Sequence, residues 1–115
     1  MKILFAESDR DLLMCYKKLL SMDGHEVTDV FDGVQTAIKT SIEDYDLVIL
    51  DNAIPCADSD RIITSLNNKN VPVVILTGQG SAKKRVSKNG RSNTYLRFPF
   101  SPGEMRAAIA QAACR

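Results

Sequence analysis

Two kinds of apolar pattern alternate along this chain. Residues 2–6 form a short uninterrupted apolar run. Residues 9–22 instead carry Leu12, Leu13, Tyr16, Leu19 and Leu20 at three- and four-residue spacing, which is one face of an amphipathic helix. Asp23-Gly24 ends that helix. A β-branched segment at 26–30 follows, then the turn signal Asp32-Gly33. The 34–41 stretch places Val34, Ala37 and Ile38 on one helical face. Asp46-Leu47-Val48-Ile49-Leu50-Asp51 has the four consecutive apolar residues of a strand covered on both sides of a sheet. Asn52-Ala53-Ile54-Pro55 reads as a loop, because the residue before a proline is pushed out of the helical region. A helix at 60–67 then has Ile62, Ile63 and Leu66 on one side.

Residues 71–77 are a second doubly covered strand, with Pro72 tolerated at its start, and 95–98 are a short last strand. Ser101-Pro102-Gly103-Glu104 opens the final helix with an N-cap serine, a proline at the first helical position and the glutamate of a capping box. Met105, Ala108, Ile109 and Ala112 form its apolar face. Five strands alternating with five helices predict an α/β fold: a doubly wound (βα)5 sandwich with a parallel five-stranded sheet and helices on both faces. The fifth helix has to come from residues 79–93, which hold Lys83, Lys84, Arg85, Lys88 and Arg91 but only Ala82 and Val86 as apolar anchors. That run reads either as a solvated helix face or as a basic docking face for an acidic partner.

Bulk properties narrow the class. The 115 residues, 44% hydrophobic and 25% charged, suit one globular domain with a single core. A formal charge of +1 gives no global field toward nucleic acid or a membrane surface. Cys15, Cys56 and Cys114 are odd in number and widely spaced, against a disulfide frame or zinc site and for a reducing, cytoplasmic compartment. Cys15 and Cys114 are expected to pack on helix faces and His25 to lie at the surface in a turn, while a redox role for Cys56, in the loop after Asp51, is the minor alternative to an ordinary loop residue. No apolar stretch approaches membrane-spanning length. No Gly-rich phosphate loop follows the first strand and no Gly-x-Ser-x-Gly elbow is present, which argues against a nucleotide-cofactor or hydrolase site on such a scaffold.

Candidate chemistry centres on Asp51. It emerges at the carboxyl end of a strand, where open α/β sheets place their sites. A carboxylate so held can be a metal ligand or a nucleophile, or simply cap its loop.

In order along the chain, Ile3 to Asp9 with its acidic end, Asp32-Gly33-Val34-Gln35-Thr36-Ala37, Asp46 to Pro55, Val71 to Thr77, and Tyr95-Leu96-Arg97-Phe98-Pro99-Phe100 resemble the segments of a bacterial response-regulator receiver domain. The likeness spans essentially the whole chain and implies one receiver domain over 1–115, with the flavodoxin-like strand order 2-1-3-4-5. It implies a regulatory phosphoacceptor rather than an enzyme, self-catalysing phosphoryl transfer at most. Asp51 matches the acceptor. Glu7, Asp51 and the backbone carbonyl of Ala53 match magnesium ligands, and Thr77 and Tyr95 match the switch pair. The implied partners are a sensor histidine kinase or phosphotransfer protein, and a downstream protein on the face made by the 79–93 segment, the last strand and the last helix. That face carries Lys83, Lys84, Arg85, Lys88 and Arg97 as candidate contacts. Neither nucleic acid nor membrane is expected as a partner, and the expected state is a monomer or weak homodimer. Nothing in these residues supplies a DNA-binding or catalytic output domain.

Two central positions depart from the family pattern. Ser8 stands where the resemblance places a second acid, and a neutral hydroxyl is a poor ligand for hard magnesium. Phe98 stands where it places a lysine before the proline, and a phenyl ring cannot pair with a phosphoryl oxygen. Asp9 is adjacent but suits a helix N-cap or first-turn acid. Arg97 should point to the opposite face by strand alternation. Cys56 and Ser59 replace glycines usual near the acceptor loop and should stiffen or reshape it. The expected outcome is a degenerate site with weak magnesium binding and slow phosphorylation, or else a pseudo-receiver that binds proteins without regard to phosphate.

Overall fold

The computed structural model describes residues 1–78 and 93–114. In chain order the elements are β1 (Lys2–Ala6), α1 (Arg10–Met22), β2 (Glu26–Val30), α2 (Gly33–Ile42), β3 (Leu47–Asp51), α3 (Ser59–Asn68), β4 (Val73–Thr77), β5 (Thr94–Arg97) and α4 (Pro102–Ala113). The fifth helix expected within 79–93, with Lys83, Lys84, Arg85 and Lys88, lies outside the described residues.

The five strands form one sheet in the order β2-β1-β3-β4-β5, and all four pairings are parallel. Register follows from burial. β1, β3 and β4 are central and apolar on both sides, so alternate residues feed two separate cores. Ile3, Phe5, Leu47, Ile49, Val74 and Leu76 face one core, completed by Leu13 and Leu20 of α1 and by Met105, Ala108, Ile109 and Ala112 of α4. Leu4, Val48, Leu50, Val73 and Ile75 face the other, completed by Ile63 and Leu66 of α3. Each fully buried aliphatic or aromatic side chain contributes roughly 1.5–3 kcal/mol. The sheet therefore holds its polar rim on a stiff base.

Helix ends follow local chemistry. Asp9 caps α1, its carboxylate accepting from the Asp11 and Leu12 N–H groups. Gly24, at φ +91°, supplies the left-handed residue after that helix. Ser101 and Glu104 form the reciprocal capping box of α4, with Pro102 in the first turn.

Four expectations need correction. Val34 (53% exposed) and Ile38 (54%) are not core residues, and Ala37 is exposed with them. α2 buries Gly33 and Thr36 instead. Small residues let its backbone sit close to the loop after β3, and this turns the apolar stripe outward. The buried Thr36 hydroxyl is satisfied by the Asp32 carbonyl at 2.8 Å. Cys15 and Cys114 are exposed rather than packed. Pro72 precedes β4 rather than starting it, since the ladder begins at Val73, although the Pro72 carbonyl still accepts from the Val48 N–H at 3.0 Å. Phe98 falls just past β5, which ends at Arg97. His25 is half-buried between α1 and β2, its Nδ1 at 3.0 Å from the terminal amine.

Candidate functional site

β1 and β3 are neighbours, so the residues that leave their carboxyl ends meet. The register pairs Ala6 with Leu50, which makes Glu7 and Asp51 the next rung. By strand alternation both side chains lie on the side of Phe5 and Ile49. The meeting point is the crevice where chain order reverses across the sheet.

Glu7 is 3% exposed. Its Oε1 accepts the Asp9 N–H at 3.1 Å, while its Oε2 is buried without a hydrogen-bond partner. Burial first, then the negative charge of Asp51, raise its pKa from 4.5 to about 7, and the Asp9 N–H only partly offsets them. The two carboxyls face each other without closing a hydrogen bond of ordinary length. Asp51 is half-buried, and its Oδ1 accepts the Ala53 N–H at 3.0 Å. That turn holds the acid at the rim and folds the following loop back over it.

The loop is fixed from several sides. Asn52 N–H donates to the Leu76 carbonyl at 2.9 Å, and Ser59 Oγ donates to the Asn52 carbonyl at 3.1 Å. Cys56 adopts φ +57°, a conformation that favours glycine. Gly33 N–H donates to the Pro55 carbonyl at 2.8 Å. A Cβ on Gly33 would lie 2.1 Å from the Ala57 Cβ, so α2 starts hard against this loop and only glycine fits there.

The other half of the rim is aromatic. Thr77 is buried at the end of β4, and its carbonyl accepts the Phe98 N–H at 2.9 Å. The Phe98 ring packs on Phe100, centroids 4.7 Å apart. Phe100 in turn meets Tyr16 of α1 at 4.9 Å, and the Tyr16 hydroxyl donates to the Phe100 carbonyl at 2.9 Å. Leu96 and Phe98 serve the first core while Tyr95, half-buried, packs against the second. Arg97 is exposed. The destination of the Phe98 ring is not visible from its local sequence. The signal was Tyr16, an aromatic on the buried side of α1, but nothing nearby in the chain pairs it with Phe100.

The expected residues are therefore brought together unevenly. Glu7 and Asp51 converge with the Ala53 backbone beside them. Ser8 is exposed, and Arg10, two positions on, lies over the Phe31 ring at 4.7 Å. Among the described residues, no three His, Cys, Asp or Glu side chains gather as a metal site. The donor set is nonetheless of the right kind for a hard cation: two carboxylates, one with an orphaned buried oxygen.

The chain matches the family profile "Response regulator receiver domain" over residues 3–110. Among curated proteins it is 35% identical over 114 residues to the transcriptional regulatory protein HprR of Escherichia coli, covering 95% of this chain and 50% of that one. The chain spans about half the length of the curated relatives it matches. Among solved structures, the receiver domain of a Francisella response regulator superposes with a TM-score of 0.82 at 26% identity, covering 97% of this chain and 95% of that one. The receiver domain of a sensor histidine kinase from Pseudomonas aeruginosa, solved with magnesium in its active-site cleft, gives 0.82 at 25% identity and covers 99% and 98%. With the sheet order, the converging acids and these matches in hand, the chain belongs to the response-regulator receiver domain family of two-component signalling.

Proposed function

We propose that this receiver domain takes a phosphoryl group on Asp51 with weakened chemistry, because Ser8 and Phe98 stand in for an acid and a cation. The observation that carries this is the convergence of Glu7 and Asp51 in one crevice while the Phe98 ring is engaged with Phe100. In the transfer, a carboxylate oxygen of Asp51 attacks the phosphorus of a donor. The bond to the donor's leaving atom breaks, and that atom keeps the electron pair. Glu7, Asp51 and the Ala53 carbonyl are the residues that would hold magnesium. When bound, magnesium neutralises charge on the transferring oxygens.

Within the chain, Ala53 N–H orients the Asp51 carboxylate. Burial of Glu7 keeps water from one side of the crevice. Thr77, buried at the end of β4, and Tyr95, half-buried on β5 opposite Ile75, are the pair assigned to the switch. Each missing charged contact withholds on the order of 1.5–3 kcal/mol of stabilisation from the transferring phosphoryl group. The proposed donors are a histidine kinase or phosphotransfer protein. The proposed readout is a protein partner on the face that includes Arg97 and α4. We place the chain in the cytoplasm, acting without nucleic-acid or membrane contact of its own.

The aromatic packing of Phe98 favours a second reading: a receiver scaffold that binds its partner whether or not Asp51 is modified. One experiment separates the two. The chain is incubated with acetyl phosphate and magnesium and followed by intact mass, beside Asp51→Asn. An 80 Da adduct (the mass of one added phosphoryl group) on the parent and none on the variant supports the first reading. No adduct at saturating donor supports the second.

A further inference from the structure

The stripe that α2 turns away from the core has its own geometry. Val34, Ile38 and Ile42 recur every fourth residue and are 53%, 54% and 66% exposed. Three such positions on one helix span about 12 Å at 1.5 Å per residue. Beside them lies a groove of about 540 Å³ between α2 and α3, floored by the loop that carries Cys56 and Ala57. Its two walls differ in chemistry. The α2 wall is apolar along Val34, Ala37 and Ile38 and turns polar at Thr40 and Ser41. The α3 wall presents Arg61 and Ser65 around Ile62, with Lys69 just past the helix end continuing the four-residue spacing.

The charges on this groove are unbalanced. Arg61 is exposed, and among the described residues its guanidinium has no partner. Lys69 Nζ reaches across to the Thr40 carbonyl at 2.9 Å, so its charge meets a dipole rather than an acid. The lining acid is Asp58, whose Oδ1 already accepts the Arg61 N–H at 3.2 Å as the α3 cap. Glu43, just past α2, is held by Lys2 at 3.4 Å and Lys39 at 3.8 Å.

We propose that the α2–α3 groove is a docking site for an acidic amphipathic helix of a partner protein. The apolar edge of that helix would cover Val34, Ala37 and Ile38, and its carboxylates would meet Arg61 and Lys69. An α-helix with apolar anchors at i, i+4 and i+8 matches the spacing of both walls. A second copy of this chain fits less well, because two such faces in a symmetric pair would bring like cations together. The site is separate from the α4 side of the sheet and does not require phosphate on Asp51.

The test uses the full chain, isotope-labelled, and a synthetic helical peptide of about 15–20 residues with leucines along one stripe and glutamates beside it. A second peptide carries lysines in place of the glutamates. Expected are backbone shifts confined to Gly33–Ile42, Ser59–Asn68 with the adjoining Lys69, and the 52–58 loop. Affinity should weaken at least about tenfold in Ile38→Ser and in Arg61→Glu, a loss of about 1.4 kcal/mol. Both sites are exposed, so both variants should keep the parent's spectrum. The lysine peptide should bind more weakly than the glutamate peptide. The proposal is overturned if neither peptide binds, if shifts fall elsewhere, if the lysine peptide binds as well, or if either variant binds like the parent. Concentration-dependent sedimentation that Ile38→Ser abolishes would also overturn it, by making a second copy the occupant.

Discussion

The carboxyl rim of the sheet has two halves built by opposite means. Over β1 and β3, polar groups are kept at a cost: Glu7 is buried with one oxygen unpartnered and a neighbouring acid facing it. Over β4 and β5, the Phe98 position has gone to packing, with three rings linking α1 to the start of α4. The acidic half brings two carboxyls together at the price of burying one of them. The aromatic half has the organisation of a core extension. A family fold can therefore hold converging carboxyls at one pair of strand ends while the neighbouring pair is given over to packing.

The largest test of that contrast restores the missing charges. Ser8→Asp together with Phe98→Lys should raise the initial rate of Asp51 phosphorylation by acetyl phosphate at least about 100-fold, or roughly 3 kcal/mol of barrier. Intact mass against time checks it. An unchanged rate would mean that the acidic half lacks more than two charges. Next in size is Phe100→Ala. It removes the central ring of the trio and should destabilise the fold by about 3 kcal/mol in urea unfolding. A loss below about 1 kcal/mol would mean that the aromatic half contributes little packing.

The smallest effect is a pH dependence of the acidic half without magnesium. Glu7 has a folded pKa of about 7 against 4.5 for the free side chain. The fold thus binds the proton more tightly than the unfolded chain does. Its share of stability is complete below pH 4.5 and is lost as pH climbs through about 7. Glu7→Gln should flatten that slope. Equal slopes in parent and variant would refute the assignment.

Much of this was legible in the sequence. Strands β1, β3 and β4 could be read because parallel strands covered on both faces need unbroken apolar runs, and α4 because its capping box is local. The alternation of elements gave the class, and the resemblance supplied the strand order. The acidic half was also readable, since Glu7 and Asp51 sit at strand ends whose adjacency the topology dictates.

What stayed hidden depends on distant partners. The apolar stripe Val34, Ala37 and Ile38 has the period of a buried face, yet Gly33 and Thr36 make the contact. Periodicity reports amphipathicity and cannot say which side finds a neighbour. Cys15 and Cys114 face outward because other residues of α1 and α4 had already filled the core. The destination of Phe98 turned on Tyr16, which is far away in the chain.

The missing side chain of Gly33 has a consequence beyond allowing a tight fit. With no room for one extra carbon between it and Ala57, the loop leaving β3 and the first residues of α2 are packed as a single piece. Whatever shifts one must carry the other. The loop that follows residue 51 and the first turn of the second helix thereby meet across a clearance narrower than a methyl group.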